Sequence, residues 1–263
     1  MNEVLKVERD GVVARVTLNR PEVRNAFNAE LIAALRSAFD AFAAEPPAAL
    51  RAVVLAGDGK VFCAGADIEW QRASLGLSMQ ENEADAGRLQ EMLVAIDECS
   101  VPVIAAVHGA ALGGGMALCC VADVTLATAD TTFGFTEVNL GLMPAVISPF
   151  VLPRIGEGPA RALFLTGERF GSDRALSIGL VSEVVPDRPA LDARVAELLD
   201  EILAAGPEAA RNAKAVIRDQ RGLSRSDAAK LTVQRAASQR ISAEGQEGLG
   251  AFLDKRPPSW REE

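Results

Sequence analysis

One histidine and four cysteines are all the imidazole and thiol ligands that this chain of 263 residues holds, and none of the cysteines shows C-x-x-C spacing. A zinc site is therefore not expected. Adjacent Cys119 and Cys120 are poorly placed to bond each other. With Cys63 and Cys99 they read as small buried apolar residues of a reducing compartment, and the expected location is the cytoplasm. Basic residues are outnumbered, 27 against 36 acidic, for a net charge of −9. That balance argues against nucleic acid or an anionic membrane as a bulk partner. It still allows a polyanionic small ligand held by a few local cations. The opening Met1-Asn2-Glu3-Val4-Leu5-Lys6 lacks the apolar stretch of a secretory signal. No Gly-Lys-Ser/Thr triplet follows the glycines, and Phe62 stands where a dinucleotide fingerprint starting at Gly57 needs its third glycine. Neither phosphate-binding motif is present.

Residues 101–122 carry almost no charge, but Pro102, His108 and three successive glycines point to a buried strand–turn–helix instead of a membrane span. The overall make-up, 49% apolar and 24% charged, is that of an ordinary globular protein large enough for a sizeable core. Alternation over Val4–Glu8 and Val12–Leu18 predicts a hairpin turning at Asp10-Gly11. Asn28 caps a predicted amphipathic helix carrying Leu31, Leu35, Phe39 and Phe42, which Pro46-Pro47 ends. Strands follow at 52–56 and 103–107, with a helix marked by Leu89, Met92, Leu93 and Ile96 between them. Residues 69–84 are polar and read as an irregular loop over a site. Strands near 124–127 and 132–135 extend a strand–helix rhythm that predicts an α/β core. From Leu191 onward the chain reads as helical, over 195–203, 207–218 and 225–242.

The most informative stretch is Gly109-Ala110-Ala111-Leu112-Gly113-Gly114-Gly115-Met116. It follows the apolar run 103–107 and opens a short apolar helix, so backbone N–H groups stand unpaired and unobstructed at a helix start. Such donors can hold an anion or a carbonyl oxygen gaining charge; a tight turn with close packing would use the same residues. Upstream, Val61-Phe62-Cys63-Ala64-Gly65-Ala66-Asp67-Ile68 is a second small-residue loop after a second strand. Two such loops could each direct one N–H at the same oxygen.

These two motifs closely resemble the crotonase (enoyl-CoA hydratase/isomerase) superfamily. The resemblance continues through Asn19-Arg20-Pro21 to Ala26-Phe27-Asn28, through Phe133-Gly134-Phe135-Thr136-Glu137 to Met143-Pro144, and through Ala251-Phe252-Leu253 to Ser259-Trp260. It implies an α/β spiral of strand–strand–helix units over residues 1–190 and a C-terminal helical trimerisation segment over 191–263. The implied assembly is a homotrimer or a dimer of trimers. The implied substrate is an acyl-CoA thioester, with no cofactor beyond the coenzyme A of the substrate itself. Catalytic roles fall on Glu137 and on the main-chain N–H groups of Ala66 and Gly114. Arg24, Ala64, Ala66, Asp67, Ile68, Gly113, Gly114 and Lys255 form the implied substrate-binding set. A carboxylate flanked by Phe133, Phe135 and Val138 is expected to have a raised pKa, which suits proton transfer near neutral pH. His108, before the glycine turn, reads as a loop residue bonded to backbone.

Two departures bear on the reaction. Ala117 occupies the position where hydratases with two catalytic glutamates carry the second, three residues after the middle glycine. A lone carboxylate suits a 1,3-proton shift, the Δ3,Δ2-enoyl-CoA isomerase reaction. In the other direction, Ala145–Val151 and Ser242–Gly248 resemble bacterial methylglutaconyl-CoA and isohexenylglutaconyl-CoA hydratases. Hydration of a branched or glutaconyl-type 2-enoyl-CoA is the expectation. The isomerase and a non-catalytic acyl-CoA-binding relative are its alternatives.

Overall fold

A computed structural model describes residues 3–261; Met1 and Asn2 of the opening stretch, with Glu262 and Glu263, lie outside the described residues. The chain begins with β1 (Leu5–Asp10) and β2 (Val13–Leu18), antiparallel and joined through Gly11 at φ +56°. Asn28 then caps α1 (Ala29–Ala43), its side chain accepting from the Leu31 N–H at 2.9 Å. Leu31, Ile32, Leu35, Phe39 and Phe42 form the buried stripe of that helix, as its 3–4 spacing requires. Next come β3 (Ala52–Gly57), α2 (Ile68–Ser74), α3 (Met79–Asp97), β4 (Val103–Val107), β5 (Ala110–Leu112) and α4 (Gly114–Val121). They are followed by β6 (Val124–Thr128), β7 (Thr132–Gly134), α5 (Ser148–Ile155), α6 (Glu157–Thr166), β8 (Arg169–Gly171), α7 (Ser172–Ser177) and β9 (Glu183–Val185). Four helices close the chain: α8 (Arg188–Ala204), α9 (Pro207–Asp219), α10 (Arg225–Ile241) and α11 (Ala243–Asp254).

Six strands form one sheet in the order β1-β2-β3-β4-β6-β9, parallel from β2 onward, and β5-β7-β8 form a second, smaller sheet. Both faces of the large sheet are covered, which is why β4 is buried at every residue. Val53, Leu55, Val103 and Ala105 face a core shared with α1, α3 and α4. Their neighbours Ala52, Val54, Ile104 and Ala106 face α8 through Leu191, Val195 and Leu199. One-residue alternation thus sorts each strand between two cores. The last three helices differ: α9 and α10 bury no residue, and Ile217, Val233, Ile241, Phe252 and Leu253 are exposed. Among the described residues no helix is long and apolar enough to cross a membrane.

One sequence expectation is corrected. Residues 69–84 are not an irregular loop; they are α2 and the start of α3. Asp67 caps α2, accepting from the Glu69 N–H, and Ser78 with Glu81 forms a reciprocal capping box on α3. Those caps nucleate helices that have little apolar periodicity. The glycine stretch 109–116 follows β4 as expected but contains a strand of its own. The chain leaves the large sheet at His108-Gly109 and adds β5 to the second sheet before reaching Gly113. The segment 101–122 is otherwise the buried strand–turn–helix expected.

Candidate active site

The two small-residue loops lie side by side. Cys63 donates its N–H to the Ala110 carbonyl and accepts from the Leu112 N–H on its own, both at 3.0 Å, so residues 63–66 run parallel to β5. On the other side, the Phe27 N–H bonds the Gly65 carbonyl at 2.7 Å and the Asp67 N–H bonds the Phe27 carbonyl at 2.8 Å. This pairing engages the amides on either side of Ala66 and leaves its own N–H without an acceptor among the described residues. Gly113 donates to the Gly134 carbonyl at 2.9 Å, while Gly114 is the first residue of α4 and its N–H has no helical partner. The close approach needs glycine. A Cβ on Gly65, at φ +95°, would stand 3.0 Å from the Leu112 carbonyl oxygen, and one on Gly114 would stand 2.7 Å from the Phe27 ring.

The second sheet brings Glu137 to the same place. β7 pairs with β5 so that Gly134 faces Leu112, and the chain then turns through a 3-10 segment, Thr136–Leu140. Fully buried Phe133 and Phe135 anchor that turn. The Glu137 carboxylate emerges beside the glycines: its Oε1 is 3.5 Å from where a Cβ on Gly113 would sit. Its Oε2 is buried with no hydrogen-bond partner among the described residues. Burial pushes the Glu137 carboxyl above its ordinary value, against a smaller opposing effect of its own backbone N–H. A cavity of about 890 Å³ is lined by Ala66, Gly114 and Glu137 together with Phe27, Trp70 and residues of α3 and of 141–147. Two residues with unused N–H donors and one acid with an unpartnered oxygen therefore line one space.

None of the remaining sequence-predicted residues lines that space. Asp67 is engaged by the chain itself: it caps α2 and pairs with Arg20, whose Nη2 lies 2.7 Å from Oδ2. Burial alone would raise the Asp67 carboxyl; the Arg20 guanidinium and the Glu69 N–H outweigh it and hold the group below its ordinary value. Arg20 also donates to the Ala26 carbonyl, next to the Phe27 that backs Gly114. One guanidinium thus ties together the supports of both donor loops, a link that no local motif announces. Ala64 donates to the Arg24 carbonyl at 3.0 Å, and Arg24 stands exposed at φ +57°. Ile68 is exposed on α2. Lys255 is exposed at the left-handed end of α11. His108 is buried against the Gly59 carbonyl and Arg188, as a loop residue bonded to backbone. All four cysteines are buried and free, and burial raises each thiol, Cys63 and Cys120 to about 12.

The model of the family described as enoyl-CoA hydratase/isomerase matches residues 8–263 of the chain. The chain belongs to the enoyl-CoA hydratase/isomerase family. The crotonyl-CoA hydratase of Syntrophomonas wolfei is 33% identical over 265 residues, spanning 97% of this chain and 96% of its own. The solved structure of Pseudomonas aeruginosa AtuE superposes with a TM-score of 0.94 at 36% identity, over 98% of this chain and 99% of its own. An enoyl-CoA hydratase of Mycobacterium smegmatis gives 0.92 at 33% identity, over 98% and 99%. The α/β architecture with its closing helices is therefore the crotonase fold. In this member of the enoyl-CoA hydratase/isomerase family, Ala117 is fully buried within α4 and offers no second acid. The other carboxylate on the cavity wall, Asp85, is paired with Arg88.

Proposed function

We propose that the chain is an enoyl-CoA hydratase, adding water across the 2,3-double bond of an acyl-CoA thioester in the 890 Å³ cavity. The observation that carries the reading is the buried, unpartnered Oε2 of Glu137 in the wall that also holds the free N–H groups of Ala66 and Gly114. The thioester oxygen would accept from both amides. As water oxygen bonds to C3, the double-bond electrons move through C2 onto that oxygen, and the two donors stabilise the resulting enolate. Glu137 takes the proton released by the attacking water and delivers it to C2, so H and OH are both accounted for. A raised pKa suits a carboxyl that must accept and return a proton near neutral pH.

The names of the relatives support hydration. Exposed Ile217, Val233, Ile241, Phe252 and Leu253 on the closing helices support assembly as a trimer or dimer of trimers, and four buried free thiols support a cytoplasmic enzyme. Arg24 and Lys255, both exposed cations, remain the candidates for the phosphates of coenzyme A. The isomerase is the second reading, favoured by the alanine at 117, because a 1,3-proton shift needs only one carboxyl. The ultraviolet absorbance of the conjugated enoyl thioester separates the two. Loss of signal from crotonyl-CoA or a branched 2-enoyl-CoA supports hydration. A rise from a 3-enoyl-CoA alone supports isomerisation, and no change with any of them leaves only acyl-CoA binding.

A further inference from the structure

The cavity has two unlike walls. Leu142, Met143, Val146 and Ile147 make one side apolar. From α2 and α3 come the polar residues Gln71, Ser74, Asn82 and Asp85, and among the described residues no lysine, arginine or histidine lines the space. Met79, Asn82, Asp85, Ala86 and Leu89 recur at three- to four-residue intervals, so a single face of α3 borders the cavity along its length. Two of the hydrogen-bonding side chains on this wall are committed elsewhere. The Ser74 hydroxyl donates to the Gln71 carbonyl at 2.7 Å. The Asn82 amide donates to the Leu77 and Ser78 carbonyls, both at 3.1 Å. Arg88 pairs with Asp85 from the solvent side: its side chain is 54% exposed and that of Asp85 is 16% exposed. What these helices offer a ligand is a mixed surface, half of it apolar through Trp70, Met79, Ala86 and Leu89, with one carboxylate in its midst.

We infer that the enzyme takes an uncharged, apolar acyl chain, and that Asp85 is the residue that rejects acyl groups ending in a carboxylate. The inference rests on the reading of this cavity as the acyl site. An anionic tail entering it would lose its water and meet no cation in exchange. It would also approach the Asp85 carboxylate, whose cationic partner Arg88 lies on the solvent side. A methyl or methylene at the same place would contact Leu142, Met143 or Val146 with nothing left unpaired. Of the branched and glutaconyl-type chains that the sequence suggests, only the branched, uncharged kind fits such walls.

Two saturated thioesters test this without turnover: 3-methylpentanoyl-CoA and 3-methylglutaryl-CoA, which differ only in a terminal methyl against a carboxylate. Calorimetric titration of the full-length protein is expected to give Kd values about 100-fold apart, the neutral ligand tighter. Asp85→Asn is expected to shrink that ratio about tenfold, through removal of the like charge and release of Arg88. Equal affinities, tighter binding of the glutaryl thioester, or no binding of either overturns the inference. An unchanged ratio in Asp85→Asn overturns the role of Asp85. The matching 2-enoyl thioesters, followed by absorbance, report on the reaction separately. If the neutral one binds selectively and is not hydrated, the hydratase reading fails while the selectivity stands.

Discussion

Gly114 and Met79 border the same cavity under opposite constraints. A side chain on Gly114 would run into the Phe27 ring, and Gly65 is held against the Leu112 carbonyl in a left-handed conformation. Around Met79 the chain is loosely committed: Ile68, Leu75 and Met79 are 73%, 86% and 74% exposed, and α2 buries none of its residues. The floor of the site is set by backbone contacts between β5, residues 63–66 and Phe27, so its two amides have almost no freedom. The wall is two capped helices whose side chains can change with little effect on that floor. The reaction would then reside where the chain cannot vary, and acyl-chain selectivity where it can.

Substitutions in each region break or sharpen that contrast. The largest effect is expected from Glu137→Gln, which keeps the shape and removes the proton carrier; kcat should fall about 1000-fold with coenzyme A thioester binding retained. The pH dependence follows from the same group. With its carboxyl above the ordinary glutamate value, kcat/KM should decline on the acid side at a pH above that value. Because the folded state holds this proton to higher pH than the unfolded chain does, the group costs stability as pH rises between the two values. Thermal melts should therefore show Glu137→Gln gaining on the wild type from acid to neutral pH. Gly114→Ala comes next: displacement of one donor should lower kcat about 100-fold in steady-state kinetics, with a smaller change in KM.

Asp67→Ala removes the partner of half-buried Arg20 and the cap of α2. Denaturant unfolding should show a loss of about 3 kcal/mol, with kcat reduced because the Ala66 loop loses its anchor. The smallest effect belongs to the wall. Ser78→Ala removes the hydroxyl that accepts from the Glu81 N–H at 3.3 Å in the capping box of α3, and should cost about 1 kcal/mol in the same unfolding measurement while kcat stays near wild type. Should Ser78→Ala cut kcat as deeply as Gly114→Ala does, the division between floor and wall would be wrong.

How much of this was readable from residues alone divides along similar lines. The apolar runs at 52–56 and 103–107 and the 3–4 spacing behind Asn28 reveal β3, β4 and α1, because burial on a strand or a helix face leaves its own period. β5 escapes that test, since three residues next to glycines carry no period. Helix α2 and the first turns of α3 escape it because their cavity face mixes Gln71, Asn82 and Asp85 with apolar residues, whereas Leu89, Met92, Leu93 and Ile96 mark the rest of α3. Asp67 and the Ser78/Glu81 pair were the legible signals there. The donor positions at Ala66 and Gly114 were visible as small-residue loops after strands, but their adjacency depends on β5 pairing beside Cys63, a contact 48 residues apart in the chain. Glu137 stood out only through the family resemblance. A glutamate among phenylalanines does not reveal whether its carboxylate is solvated, and its isolation follows from β7 docking against β5. The Arg20 link between both donor loops had no sequence signal at all.

The most direct test is a crystal structure with an acyl-CoA thioester bound. The account predicts the thioester oxygen within hydrogen-bond distance of the N–H groups of both Ala66 and Gly114, with a Glu137 carboxylate oxygen against C2. A thioester oxygen that touches neither amide, or a Glu137 carboxylate turned away from the acyl chain, would contradict it.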